Sequence, residues 1–361
     1  MSDAPRAPSA IPPSPPPAGQ GGRKRSSGLR LRVLDRVTFG ASASGALLMV
    51  LLLGLIVAVI AIGALPAIKS QGLAFLWGSR WSIRDREFGA WPYLYSTLVT
   101  SVVALVLAVP VSVGSALFLV KLAPQARPSL PARLLGCSTA TGWIRLRIAP
   151  IIAVASFLIE LLAAIPSIAY GLWGIAVLVP AMQNFIQPAL ASTLGNVPLI
   201  GFLFARPTIG FTLFTASVVL AIMIIPIVTA IVRDVLAAAP PELEQGALGL
   251  GATWWQSQKL VLGYSKLGIF GGVVLGFARA MGETMAITML IGLSIPSSNS
   301  LFAQGQTIAS LLANQFGNAD TNVERQALLY TALILLVITL LINGFARALL
   351  LKVSTQKARK Q

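Results

Sequence analysis

The sequence has no histidine, one cysteine and few acidic residues. The first two shortages each exclude a class of chemistry. Without histidine, metal sites built on imidazole and acid–base catalysis by histidine are excluded. Cys137 has no second cysteine with which to form an intrachain disulfide, and we interpret it as an inert thiol. The chain also lacks the G-x-x-x-x-G-K-[ST] loop that cradles nucleotide phosphates. We therefore predict no ATPase site of its own, no enzymatic activity, and no bound metal or cofactor.

Apolar residues make up 56% of the chain and charged residues only 11%. Several apolar runs exceed the roughly 18 residues that mark a membrane-spanning helix. The predicted fold class is an all-α polytopic membrane protein with six transmembrane helices in a lipid bilayer. The first span is too long for a cleavable signal peptide. The six spans are predicted at about 45–66, 94–120, 151–180, 211–232, 266–294 and 327–351.

Three predicted spans contain a proline in their interior, at Pro110, Pro166 and Pro226. Interior prolines are tolerated in membrane helices where neighbouring groups satisfy the freed carbonyls. We expect kinks at these positions rather than breaks.

The net charge of +16 reflects the placement of Lys and Arg along the chain. Most of these residues fall in cytoplasmic segments if the N-terminus is inside, which is the usual positive-inside bias. The prediction is an inner (plasma) membrane protein with both termini cytoplasmic and no nucleic-acid partner. The domains are a disordered, basic, Pro-rich tail (1–40), the first span with its outer loop (41–93), a five-helix core (94–351) and a basic tail (352–361). A partner-binding role for the Pro-rich segment is the alternative to a topology-fixing tail.

The fifth predicted span contains an arginine and a glutamate within the apolar run LGFARAMGETMAITMLIG. A charge in the bilayer centre costs about 2.5–3.5 kcal/mol or more, so such residues are paired, face water or perform a function. Arg279 and Glu283 are four residues apart and can pair on one helix face. They indicate a route for an anion, with a structural ion pair as the alternative. Glu160, near the inner end of the third span, has a pathway role or a structural contact with equal weight.

A series of small residues precedes the charged pair at intervals of four: Gly268, Gly272, Gly276 and Ala280. This spacing is typical of helices that approach closely in lipid. The series shares a helix face with the charged pair. Arg279 is eleven residues beyond Gly268, about 16 Å along a helix, or about half of the hydrocarbon core.

Between the fourth and fifth spans, at about 233–265, the chain contains the segment ELEQGALGLGATWW. An amphipathic surface hairpin is the simplest interpretation, but the segment resembles the EAA loop of ABC importer permeases. Ala247 and Gly251 match that pattern, whereas Gln245 stands where the family usually has Glu and Gly263 where a Pro is common. The resemblance assigns ATPase coupling to Leu243, Glu244, Gln245, Gly246, Ala247, Gly251, Ala252 and Thr253.

Four longer segments, 88–124, 159–180, 276–292 and 300–316, are similar to the PstC-type permease subunit of the phosphate ABC importer. The motif R-A-x-G-E-T is shared with the sister PstA-type subunit. The resemblance implies a type I ABC importer permease fold for the core, with phosphate passing Arg279, Glu283 and Glu160. It also implies a PstA-type partner in a heterodimer, two copies of a cytoplasmic ATPase subunit and an extracytoplasmic phosphate-binding protein. The alternatives are a PstA-type subunit, a permease for another oxyanion, or a non-transporting scaffold or regulatory subunit.

Overall fold

The computed structural model describes residues 25–82, 85, 87–121, 154, 157–159, 161–198, 201–205, 210–295 and 299–358. Two of the residues singled out above, Cys137 and Glu160, lie outside these ranges. The chain divides into two compact units, residues 1–59 and 60–361.

Within the described ranges, six helical segments are long and apolar enough to cross a membrane, which confirms the predicted number. The helices are α1 (Arg25–Gln71), α2 (Ala74–Trp77), α3 (Trp91–Lys121), α4 (Ser167–Leu194), α5 (Leu213–Ala237), α6 (Pro241–Gly249), α7 (Trp254–Met281), α8 (Met285–Leu290), α9 (Ile308–Gln315) and α10 (Asn322–Ala358). Two short strands, β1 (Trp81–Ser82) and β2 (Glu87–Phe88), pair in antiparallel orientation, with Trp81 opposite Phe88.

In the first unit, α1 begins at Arg25, inside the segment predicted as a tail. Its apolar side chains, including Leu51 and Leu55, are exposed. Exposed leucines along a whole helix are expected where the surrounding medium is lipid rather than water. The division of the chain at residue 40 stays a prediction.

The third span does not have its predicted bounds of 151–180, because its two prolines have different effects on the helix. Pro166 lies at a break, with extended backbone at φ −59° and ψ 140°, and α4 starts after it at Ser167. The kink expected at Pro166 is therefore wrong. Pro180 does not stop α4, because π-helical turns at Gly174–Leu178 and Met182–Ile186 flank it. Such wide turns accommodate the missing N–H and the ring of a proline. Pro110 and Pro226 lie inside helices, as predicted.

The fifth span is also not the single helix 266–294 that the sequence predicted. It starts earlier, at Trp254, because Thr253 and Gln256 form a reciprocal capping box at its N-terminus. It ends at Met281, where Gly282 forms the C-cap. The short helix α8 follows after Thr284. Arg279 therefore lies in the last turn of α7 and Glu283 in the break after it.

The core of the second unit is formed by α3, α5 and α7. The small residues of α7, which are four apart, lie against branched side chains of α5 that are three and four residues apart. A Cβ placed on Gly276 would lie 2.7 Å from a methyl of Val228, and one on Gly272 would lie 3.1 Å from Ile231. Gly268 is in contact with Val235 in the same way. Close backbone approach along this seam brings α7 against α5 and fixes the position of Arg279.

Candidate functional site

The charged pair forms across the end of α7. The Arg279 Nη1 lies 2.7 Å from the Glu283 Oε2, so the pairing predicted from the spacing occurs even though the helix ends between the two residues. The other carboxylate oxygen of Glu283 accepts a long hydrogen bond of 3.5 Å from the Ala286 N–H, at the start of α8. Glu283 therefore links the Arg279 guanidinium to the backbone at the start of α8.

The two side chains differ sharply in exposure. The Glu283 side chain is 3% exposed, whereas that of Arg279 is 45% exposed. The carboxylate is a buried anchor, and the guanidinium it holds faces outward. Arg carries five N–H donors in a planar fork that matches two oxygens of an anion at once. One edge of the fork is occupied by Glu283, and the exposed part leaves donors for a second anionic group.

The surface around Arg279 is apolar. Leu275, one turn earlier, and Met285, just beyond the break, are both more than half exposed. An arginine does not face lipid tails at such a site, because exposure to hydrocarbon costs several kcal/mol. This face of α7 therefore requires either another protein chain or a water-filled path against it.

At the other end of α7, the EAA-like loop folds as a helix, a turn and a second helix. The helix α6 closes in a Schellman motif: the Ala252 N–H donates to the Ala247 carbonyl, and the Gly251 N–H to the Leu248 carbonyl. Gly251 has φ +85°, the left-handed conformation that glycine adopts without strain. Thr253 then caps α7. Gly251 therefore supplies the turn between α6 and α7.

The loop presents an exposed apolar tip. Leu250 is 93% exposed, and the adjoining rings of Trp254 and Trp255 stack with centroids 5.5 Å apart while remaining largely exposed. Gln245, where the EAA pattern has Glu, is exposed on α6. Gly263, where a Pro is common in the pattern, lies within α7 with open space around it. Large exposed apolar residues on a polar segment mark a protein-docking surface.

Glu244 lies on the opposite side of α6 from this tip. Its carboxylate pairs with the Lys121 ammonium and accepts a hydrogen bond of 2.9 Å from the Gln258 Nε2. Burial acts to raise the pKa of Glu244, but the hydrogen bonds from Lys121 and Gln258 and the charge of Lys121 outweigh it and hold the pKa below its ordinary value. Sequence reasoning missed Lys121 and Gln258. The position of Lys121 at the end of a span indicated orientation only.

Residues 132–355 match the family model described as "Binding-protein-dependent transport system inner membrane component". The chain is 38% identical over 316 residues to the phosphate transport system permease protein PstC of Pasteurella multocida, covering 87% of this chain and 91% of that protein. It is 40% identical over 315 residues to PstC of Haemophilus influenzae, covering 87% and 92%. It is 35% identical over 328 residues to PstC of Mesorhizobium japonicum, covering 91% and 93%. Among solved structures, an inward-facing form of the methionine ABC transporter MetNI matches with a TM-score of 0.45 and 16% identity, covering 73% of this chain and 94% of that chain.

Proposed function

Because the chain belongs to the binding-protein-dependent transport system inner membrane component family, as a PstC-type permease, we propose that it forms the path for inorganic phosphate in an ATP-driven importer. The names of its relatives support phosphate as the substrate. The observation that carries the proposal is the half-exposed Arg279, held from behind by a buried carboxylate on an apolar face.

The Arg279–Glu283 pair is better suited to transient binding of phosphate than to its tight retention. The Arg279 fork offers two parallel donors to a phosphate group, and arginine stays charged at any physiological pH. Glu283 neutralises part of this charge and so weakens the hold on a dianion. Uniformly tight binding would retain the ion, whereas a weakened site lets it leave on the inner side.

The exposed face around Arg279 is assigned to a sister permease of the PstA type, which would close the path in a heterodimer. The exposed tip of the EAA-like loop is assigned to a cytoplasmic ATPase subunit, present in two copies. The outer loops, at about 69–93 and 297–326, would receive phosphate from an extracytoplasmic binding protein. In this orientation both termini are cytoplasmic, and ATP binding reorients the helices between outward and inward access.

The test is uptake of labelled phosphate in cells that lack their own high-affinity importer and carry this chain with its partner subunits. Arg279→Gln keeps a donor for Glu283 but removes the charge, and uptake, compared at equal membrane abundance, falls to background. Arg279→Lys keeps the charge but loses the fork, which weakens the phosphate contact by about 1.5–3 kcal/mol and leaves partial uptake. Normal uptake by Arg279→Gln would contradict the proposed path.

Lys266→Gln is the matched control, because it removes one positive charge from an exposed position on the same helix. We expect it to transport as the wild type does. Assembled wild-type complex that takes up another oxyanion, but no phosphate, would contradict the proposed substrate.

A further inference from the structure

The helix α6 has two faces with different surroundings. Its outer face and tip carry exposed residues such as Gly246, Gly249 and Leu250. Its inner face carries Glu244, whose side chain is 22% exposed, and this carboxylate contacts two other helices. The tip is the part assigned to the ATPase, so a displacement of α6 by that subunit reaches the end of α3 through the groups that the inner face contacts.

Three helix ends meet at the Glu244 carboxylate. One oxygen pairs with Lys121, the last residue of α3, and the other accepts the hydrogen bond from Gln258, in the second turn of α7. Lys121 is 123 residues from Glu244 in sequence, and its side chain is 16% exposed. We call these three residues, Lys121, Glu244 and Gln258, the strut.

The strut crosses a gap rather than reinforcing a packed interface. A cleft of about 690 Å³ lies beside it, lined by the last turn of α3, the end of α5 and the inner face of α6. The helix α6 packs mainly along α7. Side-chain contact between α6 and the end of α3 is therefore concentrated in the Lys121–Glu244 pair.

The third member of the strut is held in place by burial. Gln258 is fully buried, and its Oε1 has no hydrogen-bond partner among the residues that the structure describes. Leaving a buried amide oxygen without a partner is unfavourable. The Nε2 contact with Glu244 is thus the polar interaction that orients this side chain on α7.

We propose that Glu244 is a positioning residue for energy coupling: through Lys121 and Gln258 it transmits movement of α6 to α3 and to the helix that carries Arg279. The inference rests on the proposed function, because it takes the ATPase to dock on the tip of the EAA-like loop. Glu244 itself touches neither nucleotide nor phosphate. Its role is to make the coupling loop and the ends of two spanning helices move together.

The experiment measures phosphate transported per ATP hydrolysed by the assembled importer in proteoliposomes. The variants are Lys121→Glu, Glu244→Lys, the double exchange, and the milder Glu244→Gln. Each single change lowers the ratio by at least about fivefold while ATP hydrolysis continues, which corresponds to the lower end of usual coupling free energies. The double exchange restores most of the ratio, because the pair re-forms with its charges reversed.

Glu242→Gln is the matched control. It removes one acidic charge from the same first turn of α6, at an exposed position, and we expect a wild-type ratio. A role confined to stability would change the amount of complex but not this ratio. The proposal for the strut would be overturned if the single variants kept the wild-type ratio of phosphate transported per ATP hydrolysed. It would also be overturned if the double exchange had a ratio no higher than that of the more impaired single variant.

Copurification of the ATPase subunit separates the two proposals. If the ATPase binds the wild type and the Glu244 variants equally, a changed ratio supports the strut and an unchanged ratio contradicts it alone. If no ATPase subunit binds the wild-type chain, the proposed function fails with it. Should the charge reversals fail to assemble, Glu244→Gln with Gln258→Leu carries the same test without introducing a misplaced charge.

Discussion

Arg279 and Glu283 form one ion pair but are not equivalent, because only the glutamate is buried. Glu283→Gln removes the counter-charge from a buried position and leaves the guanidinium without its anchor. Loss of a hydrogen bond to a charged group costs about 1.5–3 kcal/mol. We therefore expect this single variant to lower both the melting temperature of the purified complex and its membrane abundance.

The double variant Arg279→Gln/Glu283→Gln distinguishes a transport role from a structural one. Two amides replace two charges and can still hydrogen-bond, so abundance and melting temperature recover relative to Glu283→Gln. Uptake stays at background, because no cation remains on the exposed face. Recovery of uptake together with stability would show that the pair only holds the break after α7.

At the level of elements, the seam between α7 and α5 makes a prediction about glycine. Gly276→Ala improves helix propensity by about 0.5–1 kcal/mol. The new Cβ, however, meets the methyl of Val228 at 2.7 Å. Overpacking of this kind costs about 1–3 kcal/mol, so the net effect is destabilising. A lower melting temperature of the purified complex checks it, and Val228→Ala in the same chain should recover only part of the loss, because a methyl of Ile224 also lies 3.0 Å from the new Cβ.

Gly263 provides the control on the same helix. A Cβ at Gly263 meets nothing within 4 Å, so Gly263→Ala should leave the melting temperature unchanged or raise it slightly. Equal destabilisation by the Gly263 and Gly276 variants would show that the loss at Gly276 does not come from contact with α5.

At the level of helices, the sequence predicts the features that depend on the spacing of residues along one helix. An interval of four residues predicted both the close helix packing along the small residues of α7 and the Arg279–Glu283 pairing. The bounds of α7 depend instead on the capping box at Thr253, which lies before the apolar run begins, and on the break at Gly282, through which that run continues. The contact between Lys121 and Glu244 joins residues 123 apart, and no periodicity encodes it.

For the whole molecule, the positive-inside bias and the exposed loop tip imply that Leu250 and Asn318, which are both exposed, lie on opposite sides of the membrane. Leu250 lies at the tip of the EAA-like loop, and Asn318 lies in the turn between α9 and α10. If the orientation is the one proposed, Leu250 faces the cytoplasm and Asn318 the outside. Because Cys137 is the only cysteine, Cys137→Ser gives a thiol-free background for testing this.

In that background, Asn318→Cys should react with a membrane-impermeant maleimide in intact spheroplasts, whereas Leu250→Cys should react only after permeabilisation. Because Leu250 belongs to the surface assigned to the ATPase, its labelling should also fall when the ATPase subunit is coexpressed, while that of Asn318 is unchanged. Labelling of Leu250→Cys from outside would reverse the orientation and remove the basis for placing the ATPase at this loop. Labelling from inside without protection would retain the orientation but locate the ATPase elsewhere, since a residue 93% exposed in the isolated chain must become covered wherever a partner docks on it.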